Sequence, residues 1–159
     1  MLMFARTSYH YGVLFNEEPH NLDIDELIRG EMAAIDAYRQ VEQDVFDEEE
    51  FKYLKKIESD HIKALNYWKD EARKHGNIPE KRKRLWGAFV QGVLILTQLV
   101  GVRAELKTLF RGELLGLKNY KKMLKSRMLS KEQKNKIKKV FLPQQQNHIR
   151  FFKQKYSFF

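Results

Sequence analysis

Cysteine is absent from this chain of 159 residues. Its absence excludes disulfide bonds, cysteine-ligated zinc and thiol nucleophiles, and it suits a reducing compartment. Proline and glycine are also scarce, with 3 and 8 residues. Because these two residue types form turns and interrupt helices, their scarcity favours long helices joined by few turns.

Long apolar runs are missing too, with one exception, LWGAFVQGVLILTQLVGV at residues 85–102. Gln91, Thr97 and Gln98 make this run too polar, and it is too short, for a transmembrane helix. It is too apolar for an ordinary surface helix, so we expect it to be buried against protein or to contact a membrane surface. The first fifteen residues lack the features of a signal peptide, so we expect a cytoplasmic protein, peripheral on the membrane if the apolar run binds lipid.

Positive charge is abundant, because 30 Lys and Arg residues face 21 Asp and Glu residues and give a net charge of +9. Such a surface attracts polyanions and anionic lipid, although a generally lysine-rich surface explains the same excess. No nucleic-acid recognition motif is present, so nucleic acid is not the expected partner. The candidate contact residues for a membrane or polyanion are those around the start of the apolar run: Lys81, Arg82, Lys83, Arg84, Trp86 and Phe89.

Residues 1–20 show no clean periodicity and are interpreted as an N-terminal extension, followed by one helical domain over 21–159. In that domain, apolar residues recur at steps of three and four, the spacing of amphipathic helices that pack into a bundle. The pattern predicts an all-α four-helix bundle. The apolar run is then an extra helical segment that precedes the third helix of the bundle.

Several polar residues fall where these helices should be apolar. A buried carboxylate is costly unless it is paired, protonated or bound to a cation. Residues three apart share one face of a helix, so a Glu-x-x-His pair can point at one centre. A metal site is therefore one interpretation and a structural polar network is the other. The candidate ligands are Glu31, Glu58, His61, Glu113 and His148, with Gln145 as a weaker member.

The surroundings of these residues repeat. Arg29-Gly30-Glu31 with Tyr38 seven residues after the Glu returns as Arg111-Gly112-Glu113 with Tyr120, and the stretch around His61 returns, altered, around His148. The repeat predicts two halves at the same height of the bundle. Tyr38 and Tyr120 are candidates to hydrogen-bond the ligands, and core aromatics with satisfied hydroxyls are the alternative. Oxygen-rich ligands with one imidazole per metal suit iron or manganese better than zinc.

At these residues the chain resembles the ferritin-like superfamily, and within it the demethoxyubiquinone hydroxylase family of quinone-biosynthesis monooxygenases. The matching stretches, in the family's order, are Gly30-Glu31 with Tyr38, Glu58-x-Asp60-His61-Ile62-Lys63, Leu85-Trp86 with the apolar run closing at Gly101, and Glu113 with Tyr120.

The resemblance implies two irons, O2-dependent hydroxylation of a prenylated quinone and peripheral membrane attachment. By position, the ligands it implies are Glu31, Glu58, His61, Glu113 and His148, with Gln145 where the family has Glu. An amide oxygen is a neutral, weaker ligand, so one iron site is expected to be weak. Asp60 is expected to face away from the centre.

Three functions remain open at this point. The first is a di-iron monooxygenase that acts on a membrane quinone. The second is a ferritin-like metal-binding or stress protein without hydroxylase activity, for which a homo-oligomer is expected. The third is a metal-free helical binding module that uses the basic residues of 118–139 as its contact surface.

Overall fold

The computed structural model describes residues 22–41, 46–76 and 102–156, and within these ranges its regular secondary structure is all helical, without a β-strand. The prediction of an all-α helical bundle is confirmed at that level. The N-terminal extension (1–20) and the predicted contact residues Lys81, Arg82, Lys83, Arg84, Trp86 and Phe89 lie outside the described residues. The helices are α1 (Leu22–Arg39), α2 (Glu48–Lys74), α3 (Val102–Met123), α4 (Lys131–Lys136), a π-helical turn (Ile137–Phe141) and α5 (Leu142–Lys155).

The ends of the helices follow local sequence signals. The side chain of Asp47 accepts a hydrogen bond from the backbone N–H of Glu50 at 2.7 Å and caps α2. After α2, Gly76 adopts a φ of 75°, which a residue without Cβ allows at little cost. Ser130 and Gln133 form a reciprocal capping box at the start of α4.

Pro143 lies in the first turn of α5, directly after the π-helical turn. A proline has no N–H to donate and its ring crowds the preceding turn, so an interruption of the helix is expected here. The helix accommodates the proline by widening one turn. The N–H of Leu142 donates to the carbonyl of Ile137, five residues back. The helix therefore continues through Pro143, and the next turns of α5 carry Gln145 and His148.

Neighbouring helices run antiparallel around a shared core. Between α1 and α3, Glu26 pairs with Lys122 at 2.8 Å near one end, and Tyr38 contacts Glu113 farther along. Between α2 and α5, the ring of Tyr53 stacks on that of Phe151 with 4.2 Å between centroids, and Asp60 contacts His148 farther along α2 and nearer the start of α5.

Two apolar clusters fill the core, one including Trp68, Tyr120 and Phe141 and the other including Tyr38 and Phe152. A buried polar layer lies between these two clusters along the helices. None of the described helices combines the length and apolar content needed to cross a bilayer.

Candidate metal centre

Glu113 is the centre of the buried polar layer, with 2% of its surface exposed. Its Oε1 accepts a hydrogen bond from the hydroxyl of Tyr38 at 2.6 Å and lies 3.1 Å from Nε2 of His61. Its Oε2 lies 3.2 Å from Nδ1 of His148 and accepts from the side-chain amide of Gln145. Both oxygens of this one carboxylate are thus fully engaged inside the protein.

Each histidine lies between two carboxylates. Nδ1 of His61 lies 2.7 Å from Oε2 of Glu31, while its Nε2 faces Glu113. Nε2 of His148 lies 3.3 Å from Oδ2 of Asp60, while its Nδ1 faces Glu113. Because both nitrogens of each ring face acceptors, the metal-free centre favours doubly protonated imidazolium rings that donate in both directions.

The electrostatics of the centre follow from this arrangement. Burial alone lowers the pKa of His61, but the charges of Glu113 and Glu31 outweigh burial and raise that pKa to about 10. The pKa of His148 is also raised, because hydrogen bonds to Asp60 and Glu113 outweigh burial. For Glu113, burial raises the pKa, but the two histidines outweigh burial and lower the pKa to about 2. The metal-free centre is therefore held together by charge.

Tyr38 and Tyr120 connect α1 and α3 in a crossed pattern. Tyr38 of α1 donates to Glu113 of α3, and Tyr120 of α3 donates to Glu31 of α1. Burial and the facing carboxylates raise the pKa of both tyrosines well above the ordinary value. Both therefore remain neutral donors, and Trp68 in turn donates to the hydroxyl of Tyr120 at 3.2 Å. The tyrosines are at once core aromatics and hydrogen-bond donors to the two carboxylates.

Glu58 is the candidate ligand that the structure does not bring to the centre. Its Oε1 lies 3.3 Å from Nε of Arg39, and its Oε2 lies 2.9 Å from Nζ of Lys55. The adjacent Ile57 is fully buried and takes the inward position. Successive residues of an α-helix are about 100° apart around its axis. With Ile57 facing inward, Glu58 therefore lies at the edge of the helix, where Arg39 and Lys55 bind it.

Asp60 shows the opposite difference from Glu58, because it lies at the centre although it was expected outside it. The prediction that it faces away from the centre is wrong, because Asp60 is 6% exposed and contacts His148. The hydrogen bond to His148 is the main cause that lowers the pKa of Asp60, and Lys56 adds to the effect. The reason is that α2 packs against α1 and α5 together, so a broader face of it is buried than one apolar stripe indicates. The neighbouring positions Asp60 and His61 therefore both point inward, to different partners.

Gly116 was not singled out from the sequence. A Cβ at this position would lie 2.9 Å from Nε2 of Gln145, closer than real contacts allow. The missing side chain lets the Gln145 amide lie against α3, where it also donates to the backbone carbonyl of Glu113 at 3.1 Å. The sequence signal that could have found it is a glycine inside an amphipathic helix, which often marks a close approach of another group.

Among the described residues, the group that best fits a metal ion is His61, Glu113 and His148. One potential ligand atom from each lies within 4.8 Å of the others, all three are buried, and they come from three different helices. Ligand bonds of about 2.1 Å place donor atoms of one ion roughly 3 to 4 Å apart, so modest adjustment closes this set around an ion. Two imidazoles and a carboxylate form a donor set used for Fe(II) and related divalent ions.

A groove of about 740 Å³ leads to this centre between α1 and α3. Small residues form much of its walls, among them Ala33 and Ala34 on α1 and Gly112 on α3, and its inner end reaches Glu31, His61, Glu113 and Gln145. Within the described residues, the groove thus connects the buried charges with the surface. Its volume lies in the range of small-molecule sites.

Comparison of the chain with protein-family models, with curated proteins and with solved structures finds no match.

Proposed function

We propose that this chain is a ferritin-like metal-binding protein whose centre holds a redox-active divalent ion, with iron the best-fitting choice and manganese the alternative. The observation that carries the proposal is the convergence of His61, Glu113 and His148 in a buried layer. A purely structural polar network would not require ligand atoms from three helices to lie within reach of one ion. Iron bound there would supply electron transfer and a coordination position open to O2.

The chain's own residues support such an ion in several ways. Glu31 faces the second nitrogen of His61 and Asp60 faces that of His148, so each carboxylate orients a ring and raises its basicity. Tyr38 donates to Glu113 and restricts the rotation of its carboxylate. The surrounding apolar clusters exclude bulk water, apart from the groove.

Metal retention by the purified protein tests the proposal. After anaerobic incubation with Fe(II) or Co(II) and desalting, the wild-type protein should retain metal and the His148→Gln protein should lose most of it. The matched control is His75→Gln, because His75 caps the exposed end of α2, far along the helix from the centre. A wild-type protein that retains no metal, or loss of metal in the control alone, contradicts the proposal.

Asp60→Asn is predicted to weaken metal binding without removing a ligand. The amide keeps the size of the side chain but loses the charge that faces His148, so we expect the dissociation constant to rise about 10- to 100-fold. Glu58→Gln is the control on the same helix, since Glu58 pairs with Arg39 and Lys55 and should leave affinity within about twofold. Titration calorimetry with Co(II) measures both, and equal effects of the two substitutions would refute the role of Asp60.

The groove favours a second candidate, O2-dependent hydroxylation of a prenylated quinone taken from a membrane surface. The groove is apolar and ends beside the donor set, so it suits the entry of an apolar substrate. A site that only stored metal would have no need of such a passage. Supplied with a two-electron chemical reductant, the iron-loaded protein should then insert one oxygen atom of O2 into a short-chain quinone, release the other as water, and yield a product heavier by one oxygen atom in mass spectrometry. Absence of this product from the iron-loaded protein would rule out hydroxylation and leave the proposed metal binding intact.

A further inference from the structure

The resemblance to di-iron proteins implies two metal ions, and the residues of this centre do not fit two. Resting on the metal-binding function above, we propose that the centre is built for one ion, and that the amide of Gln145 prevents the second from binding. Three features of the centre support this: the donors that are present, the direction in which Gln145 points, and the charge of the buried layer.

Among the described residues, the donors for a second ion are missing. A two-ion centre of this type uses a Glu-x-x-His pair from each of two helices. In the first pair, Glu58 is turned to the helix edge and held by Arg39 and Lys55, so only His61 reaches the centre. In the second pair, Gln145 replaces the Glu, so only His148 remains. With Glu113, these two histidines make a set for one ion, and Glu31 faces the other nitrogen of His61.

Gln145 also points its donor, rather than its acceptor, at the centre. Its amide nitrogen faces two acceptors, the carboxylate of Glu113 and the backbone carbonyl of the same residue at 3.1 Å. Neither neighbour can donate a proton to it, so the amide must present its NH2 group there. An N–H group cannot bind a cation, and its hydrogen bond occupies Oε2 of Glu113, which a second ion would need as a bridge. Gly116 lets the amide lie in this position.

The negative charge of the layer matches the positive charge of one divalent ion. With neutral histidines as ligands, Glu31 and Glu113 contribute two negative charges, which one divalent ion balances. The charge of Asp60 is already balanced, since Nζ of Lys56 and Nζ of Lys63 lie 3.1 and 3.5 Å from its oxygens. Two divalent ions would leave two uncompensated positive charges in a buried layer, which is strongly unfavourable.

Metal stoichiometry under saturating conditions tests this proposal in three proteins. After equilibrium dialysis against excess Co(II), metal per chain is measured by mass spectrometry, with circular dichroism as the check of folding. We expect one ion in the wild type, one in Glu58→Gln and two in Gln145→Glu, since the last change removes the NH2 group and supplies a carboxylate. The wild-type and Glu58→Gln arms decide the proposal even where the third protein does not fold.

The outcomes separate this proposal from the function on which it rests. Two ions in the wild type, or a lower metal content in Glu58→Gln, would overturn the single-ion centre while leaving metal binding intact. A folded Gln145→Glu protein that still binds one ion would show that Gln145 does not set the number. A folded wild-type protein that binds no metal contradicts metal binding itself, and the single-ion centre with it.

Discussion

Glu113→Gln should destabilise the metal-free protein by about 3 to 5 kcal/mol at neutral pH. The carboxylate of Glu113 is buried between two imidazolium rings, and removing one partner of a buried charge pair leaves the others uncompensated. The substituted amide also directs donors at groups that are themselves donors. Urea unfolding followed by circular dichroism measures the loss.

Glu58→Gln is the control for this measurement. It removes the same charge from a Glu of the same bundle, but one paired with partly exposed Arg39 and Lys55. Pairs of that kind contribute about 0 to 1 kcal/mol. Similar losses for Glu58→Gln and Glu113→Gln would mean that the charges of the buried layer do not stabilise the fold.

Metal affinity should rise about a hundredfold between pH 5.5 and 6.5. His61, with a pKa raised to about 10, and His148, with a pKa raised above its ordinary value, both carry an extra proton in the metal-free protein over this interval. A metal ligand must be neutral imidazole, so binding one ion releases two protons, and each contributes about tenfold per pH unit. Calorimetric titrations with Co(II) in buffers of different ionisation enthalpy measure the affinity and the protons released.

The same protonation determines how the stability of the metal-free protein changes with pH. A pKa raised in the folded state contributes stability that is complete below the unfolded value, about 6.5, and is lost as the pH rises through about 10 for His61. Stabilisation by added metal should therefore grow from neutral to alkaline pH. Binding that is independent of pH would mean that the histidines are already neutral in the metal-free centre.

Much of the centre was predictable because its residues violate the apolar pattern of their helices. Glu31, His61, Glu113 and His148 each interrupt an apolar stripe, and a buried charge in that position needs a partner. Capping by Asp47 and Ser130, and the left-handed glycine at Gly76, also follow from local signals. These features depend on one helix at a time, which is what a sequence pattern reports.

The features that escaped prediction depend on two or more helices together. The outward turn of Glu58 requires Arg39 of another helix, and the inward turn of Asp60 requires His148 of a third. The position of Gln145 depends on space that Gly116 leaves on α3. None of these partners is a neighbour in the sequence, so face assignment along a single helix could not select Asp60 over Glu58.

The central claim is that one metal ion binds to His61, Glu113 and His148. A crystal structure of the Co(II)-loaded protein, with anomalous data on both sides of the cobalt absorption edge, tests it most directly. The account predicts one anomalous peak per chain at about 2.1 Å from an imidazole nitrogen of each histidine and from a carboxylate oxygen of Glu113, with Glu58 still beside Arg39. Absence of a peak from this layer, or a second peak bridged by Glu58 or Gln145, would contradict it.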